Sequence, residues 1–131
     1  MAASKSSDTD LRPPIAIGHI HHRVANVSEA VAWYESLGVR RIFSRRSFAV
    51  VEVRGGTHII MAATRKKIAS GTPAPFDFIV DDVDAMRKEC VRKDMRPGKM
   101  KRGSIHDSFE LTDPSGYLLT ILSSHASGRP V

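Results

Sequence analysis

The chain runs through the same order of secondary-structure elements twice, and this constrains its fold more than any single motif. After the Pro13-Pro14 break, Ile15 to Val24 is rich in β-branched and alternating residues and predicts a strand. Asn26 can cap a following helix through its side-chain oxygen, and Glu29, three residues on, suits a capping box. Val27, Ala30, Val31, Tyr34 and Leu37 then recur at helical spacing, and Gly38 supplies the stop. Strands are predicted at Val39–Phe43, Phe48–Val53 and Thr57–Ala62, with Gly55-Gly56 turning the last two into a hairpin. In the second half Phe76–Val80 predicts a strand, and Asp81 or Asp82 caps a helix bearing Val83, Met86, Cys90 and Val91. Arg96-Pro97-Gly98 ends that helix region, and a short or irregular strand is expected near Lys99–Lys101. Ser104–Leu111 and Tyr117–Leu122 follow as strands, joined by Asp113-Pro114-Ser115-Gly116, the residue order that type I turns prefer.

The halves superpose: Val24-Ala25-Asn26-Val27 matches Val80-Asp81-Asp82-Val83 at an offset of 56 residues, and Gly56 matches Gly116 at an offset of 60. A duplication must arise twice by chance, so it outweighs any one element. The expected fold is therefore α+β, with two tandem βαβββ modules forming a concave mixed sheet and the helices on its outer face. The modules should span about residues 15–62 and 75–123 of one domain, with 63–74 as linker. A helix covers one face of each unit, so the other face is free to form a cup for a small ligand.

Composition bounds the rest. A chain of 131 residues suits one domain and can bury about two thirds of its unfolded surface, so it needs no covalent staple. Its single cysteine, Cys90, rules out an internal disulfide or a CxxC site. The longest apolar runs fall well short of a membrane span. Residues 1–14 lack the apolar core of a secretory signal and are expected to form a disordered leader, with 124–131 a flexible tail. A cytoplasmic location is the expectation. The net charge is +6, but aromatic residues make up only 6%, and no basic stretch interleaves with rings for base stacking. Nucleic acid is thus a weaker partner than a small molecule.

Three stretches together point further: His19-Ile20-His21-His22-Arg23-Val24-Ala25-Asn26-Val27 with Ala30-Val31-Ala32-Trp33-Tyr34, then Phe78-Ile79-Val80-Asp81-Asp82-Val83, then Phe109-Glu110-Leu111-Thr112-Asp113-Pro114-Ser115-Gly116-Tyr117. Over about residues 16–123 the sequence resembles the vicinal oxygen chelate superfamily, which includes glyoxalase I, extradiol dioxygenases, and the bleomycin- and fosfomycin-resistance proteins. The resemblance implies paired βαβββ modules, a homodimer, and a divalent metal. Its ligands would be a His in the first strand of each half and a Glu in the last strand of each. His19 fills the first position. The internal offset carries it to Pro75, which cannot ligate, and the glutamate positions hold Ile60 and Thr120. One of four places is filled, so the usual metal site looks broken.

The period of two along a strand places His19, His21 and Arg23 on one face and Ile20, His22 and Val24 on the other. The apolar set should meet the helix. His58 and Ile60 should then share the cup with His19, and His106, Ser108 and Glu110 should oppose apolar Ile105, Phe109 and Leu111. The expected ligand pocket is His19, His21, Arg23, His58, Ile60, His106, Glu110 and Thr120. Its histidines serve either a displaced metal site or general base (metal candidates His19 and His58), or a polar wall that does no chemistry. His22 is expected in the core, Trp33 and Tyr34 in helix packing, and Cys90 as a small buried hydrophobe. The basic clusters Arg40-Arg41, Arg45-Arg46, Arg65-Lys66-Lys67 and Lys99 to Arg102 read as a solvated face, with Arg23 or Arg40–Arg46 drawing in an anion. The leading functional expectation is a glyoxalase/bleomycin-resistance/dioxygenase-like protein binding a small organic molecule without the usual metal. The alternatives are a metal-dependent lyase or dioxygenase using His19 with His21, His58 or Glu110 and, more weakly, a basic nucleic-acid-associated module. Whether the chain is an enzyme stays open.

Overall fold

A computed structural model describes residues 9–131. The first module comprises β1 (His19–Val24), α1 (Val27–Leu37), β2 (Arg40–Ser44), β3 (Phe48–Glu52) and β4 (His58–Ala63). The second comprises β5 (Phe78–Val80), α2 (Val83–Arg92), β6 (Ser108–Thr112) and β7 (Leu118–Ser123). The expected α+β class and module order hold. Helix α1 starts where Asn26 Oδ1 accepts the Glu29 N–H at 2.9 Å, and it stops at Gly38, whose φ of 124° only glycine adopts without strain. Asp82, the second of the two candidates, caps α2 by accepting the Ala85 N–H at 2.9 Å.

The strands form two mixed sheets rather than one. The first has the order β1-β4-β3-β2 and the second β5-β7-β6, with β1 parallel to β4 and β5 parallel to β7. The irregular strand expected near Lys99–Lys101 is a single bridge, in which Lys101 and Ser108 exchange backbone hydrogen bonds beside β6. Part of the linker is also ordered against β7, since Ala74 N–H donates to Leu118 O and Leu118 N–H to Thr72 O.

Two predicted strands begin four residues later than expected, and the strand expected at Phe76–Val80 begins at Phe78. Strand β1 begins at His19, not Ile15, because β4, its neighbour, begins at His58; before it only Gly18 O and Ile17 O are bonded, to the His58 N–H at 2.9 Å and the Thr57 hydroxyl at 2.6 Å. Ile15 and Ile17 stay largely exposed. Strand β6 begins at Ser108 rather than Ser104, because Asp107 builds local structure of its own. Its carboxylate accepts from Gly103 N–H at 3.2 Å and from Arg102 at 2.9 Å, and such side-chain bonds compete with strand pairing. Residues 1–8 of the expected leader lie outside the described residues.

The helix-covered faces of both sheets join in one core. It contains Val24, Ile59 and Met61 of the first sheet, Ala30, Val31 and Tyr34 of α1, Cys90 of α2, and Phe109, Leu119 and Ile121 of the second sheet. The two uncovered faces therefore look away from a shared core instead of merging into one surface. A buried polar contact crosses the seam: Asp113, in the β6–β7 turn, meets His22 of β1 at 3.0 Å and Tyr34 of α1 at 2.7 Å.

Candidate functional site

Strand register turns the uncovered face of the first sheet into a grid, because residues directly opposite on neighbouring strands share a face. The first row runs His19, His58, Glu52, Arg40 across β1, β4, β3 and β2. Its members touch in sequence. The His19 and His58 rings stack with centroids 6.1 Å apart, His58 Nε2 lies 3.0 Å from a Glu52 oxygen, and Arg40 donates to the other Glu52 oxygen at 3.0 Å. The second row is His21, Ile60, Val50 and Phe43, and the third is Arg23, Ala62 and Phe48.

The face thus has an apolar floor of Val50, Ile60 and Ala62. His21 and Arg23 flank it on β1. On the far side the Phe43 and Phe48 rings meet at 5.7 Å, and the Arg45 guanidinium lies 5.2 Å from the Phe43 centroid, within cation–π range. The period-two reading of β1 holds: His19, His21 and Arg23 are exposed, Ile20 is half-buried, and His22 and Val24 are buried.

The eight residues expected to form one pocket do not gather in one place. His19, His21, Arg23, His58 and Ile60 lie on the first sheet. Glu110 and Thr120 face each other across β6 and β7 on the second, where Lys101 meets Glu110 at 3.4 Å. His106 falls outside any strand, in the loop that Asp107 organises, and its ring lies 5.7 Å from that of His125. Among the described residues no strand pairing joins the two sheets, so the sets stay apart within one chain.

The sequence reading missed Glu52, although the signal was present. A hairpin turning at Gly55-Gly56, with Val53 N–H donating to Thr57 O, places Glu52 directly opposite His58. Phe43 was hidden for a different reason: a register shift between Arg41 and Phe43 moves it onto the cup face, where simple alternation would not put it.

The usual divalent metal does not fit the residues present. Ile60 and Thr120 offer no carboxylate, and His58 is engaged by Glu52. Among the described residues no three His, Cys, Asp or Glu side chains come together closely enough to hold an ion. Cys90 is buried, and burial raises its thiol pKa above the ordinary value, which keeps it protonated and inert. Many of the basic residues are held in exposed ion pairs. Arg41 meets Glu35 at 2.8 Å, Arg54 meets Asp81 at 3.2 Å, and Arg102 bridges Asp84 and Asp107 at 2.8 and 2.9 Å.

Comparison with known proteins places this architecture. Residues 16–121 match the Glyoxalase/Bleomycin resistance protein/Dioxygenase superfamily. The chain belongs to that superfamily. Members of the glyoxalase/bleomycin resistance/dioxygenase group commonly bind small molecules and are often dimeric. Among solved structures, the chain is similar to a lactoylglutathione lyase from Agrobacterium tumefaciens, with a TM-score of 0.72 at 16% identity over 89% of this chain and 99% of that one. It is also similar to a glyoxalase/bleomycin resistance protein/dioxygenase from Alicyclobacillus acidocaldarius, with a TM-score of 0.68 at 20% identity over 86% and 93% of the two chains. A third, the oxidase ChaP-H2, has a TM-score of 0.68 at 16% identity over 86% of this chain and 95% of that one. At these identities the likeness shows the fold alone, and a fold shared by a lyase and an oxidase does not choose the chemistry. No curated protein sequence matches the chain. Among the described residues no helix is long and apolar enough to cross a membrane.

Proposed function

We propose that this superfamily member binds a small organic anion with an apolar, ring-like body on the uncovered face of its first sheet, without the usual metal. The observation that carries the reading is the grid itself. An apolar floor of Val50 and Ile60 lies between His21 and Arg23 on one side and Phe43, Phe48 and Arg45 on the other. The floor takes hydrophobic area and the rings offer stacking. Arg23 supplies a forked donor for a carboxylate or phosphonate. A pocket of this kind orients its ligand with a few polar groups on an apolar bed.

The protein acts as a homodimer in this reading, and in the cytoplasm. The half-cup of one chain, carrying His19, His21, Arg23 and His58, is closed by the Glu110 and Thr120 face of a second copy. This reading is supported by the two uncovered faces and by the outer edges of β1 and β5, which pair with no further strand among the described residues.

Isothermal titration with benzoate, phenylphosphonate and the neutral amide of benzoate tests the binding. The anions should bind and the amide should not, and Arg23→Ala should weaken the anions about tenfold, the loss of one charge-assisted contact. Equal affinity for the amide overturns the reading. Sedimentation velocity tests the dimer, which a monomer at micromolar concentration refutes.

A second reading rests on the His58–Glu52 contact of 3.0 Å. A carboxylate behind an imidazole fixes its tautomer and the orientation of its ring, which is the arrangement of a general base. His58 would then take a proton from the bound ligand while Glu52 balances the new charge. Hydrogen–deuterium exchange into a bound carbon acid, abolished in His58→Ala, separates catalysis from binding.

A further inference from the structure

A second concavity lies between the modules on the helix-covered side, away from the grid. Its volume is about 600 Å³, within the roughly 300–1,000 Å³ of small-molecule sites. Ile20 and Ile59 of the first sheet form one wall, and Phe78 and Ile121 of the second form the other, with Met86 of α2 at one end. The space is a cleft open to solvent on one side, and its lining is mostly apolar, which suits it to a ligand with hydrophobic area to bury.

The cause is local. The wall continues through Gly38 and Gly55, where φ values of 124° and 86° require glycine, so no side chain projects into the space from either turn.

We propose that this cavity is a separate binding site for an uncharged, planar aromatic molecule. Phe76 and Phe78, which both line it, stack with centroids 5.1 Å apart and planes 18° from parallel, and so offer an aromatic surface against which a flat ring can pack. The charges at its mouth argue against an anion. Arg54 of the first module is already paired with Asp81 of the second through two contacts of 3.2 Å, and Asp77 is an exposed carboxylate that would repel an anion. The preference is therefore opposite to that of the grid, which favours anions. A ligand here would touch both modules and hold them together, stabilising the native chain by mass action.

The test uses the full chain and two fluorescent naphthalene dyes, neutral N-phenylnaphthylamine and anionic anilinonaphthalene sulfonate. The neutral dye should bind saturably, one per chain, and more tightly than the anion. It should shift the NMR methyl signals of Ile20, Ile59 and Ile121. Met86→Trp and Val53→Phe, which fill the space without adding charge, should each weaken the dye about tenfold or more, while Arg23→Ala on the grid leaves it unchanged. Should a filled variant fail to fold, the methyl shifts in the natural protein decide alone. Non-saturable binding, methyl shifts elsewhere, unchanged affinity in folded filled variants, or dye loss as the protein dimerises (a second copy covering the cavity) each overturns the proposal.

Discussion

Tyr34 donates its hydroxyl proton to Asp113 at 2.7 Å, across the seam between the two modules. The residues are 79 positions apart, and both side chains are buried. The same carboxylate oxygen lies 3.0 Å from His22 Nε2, and the other accepts the N–H groups of Ser115 and Tyr117 at 2.9 and 3.0 Å. A carboxylate only accepts, so Nε2 of His22 must carry a proton and donate it. One side chain therefore shapes the β6–β7 turn and pins β1 and α1 to it.

Removing either end of this contact should cost stability unequally. Tyr34→Phe deletes one donor, and Asp113 keeps three, so the expected loss is about 1–2 kcal/mol. Asp113→Ala strands His22 and Tyr34 in the core and frees the turn, with an expected loss of about 3–5 kcal/mol. Urea unfolding measures both, and equal effects would show that the Tyr34 contact across the seam, not the turn, carries what Asp113 contributes.

The network also fixes the pH range of stability. Burial alone would raise the Asp113 carboxyl, but hydrogen bonds from His22, Tyr34 and the Tyr117 N–H outweigh it and hold the pKa below its usual 3.8. A depressed acid contributes stability that is full above the unfolded value and lost as pH falls through the folded one. Unfolding should thus set in below about pH 4, and Asp113→Asn should flatten that acid limb. Tyr34 has the opposite sign: burial and the Asp113 charge raise its pKa, so its contribution is full below the usual 10.0 and is lost as pH rises beyond it. Urea midpoints measured across the pH range should fall at both ends, and Tyr34→Phe should flatten the alkaline one.

Local sequence carried the modules well and their packing poorly. Asn26, Gly38, Asp82 and the DPSG turn act through contacts only a few residues away, so their spacing alone revealed them. His22 was legible as a core residue because it shares a face with Ile20 and Val24, yet nothing nearby indicated that its partner would be Asp113, 91 residues on. The split of the expected pocket had the same origin. Alternation assigns a residue to a face of its own sheet but says nothing about how two sheets face each other, which left His19 and Glu110 on different surfaces. His106 failed on a smaller scale, because Asp107 diverted the chain before pairing began.

Cys90 should be silent toward thiol reagents in the native state. It is 1% exposed, and burial raises its pKa, so the thiolate is scarce and shielded. Labelling by an aromatic disulfide reagent should follow global unfolding, with a rate that rises in Asp113→Ala by the same free energy that urea reports. Fast labelling of the native protein would mean that α2 opens independently of the core.

The row His19–His58–Glu52–Arg40 makes a sharper prediction about the grid, because its charges oppose each other. Glu52 is the one carboxylate in that row, and it offsets Arg40 at 3.0 Å while contacting His58 at the same distance. If the face binds an anion, Glu52 works against it, and Glu52→Gln should tighten benzoate binding about two- to fivefold, an effect the size of one partly screened charge. The gain should shrink as salt is raised. Ile60→Glu should do the reverse, placing a carboxylate on the floor beside His21 and weakening benzoate about tenfold. It should cost little stability, because Ile60 is only half-buried. Titration calorimetry at low and high ionic strength measures both. Weaker binding in Glu52→Gln would instead mean that Glu52 serves the ligand by holding His58 in place, and would favour the acid–base reading over simple capture.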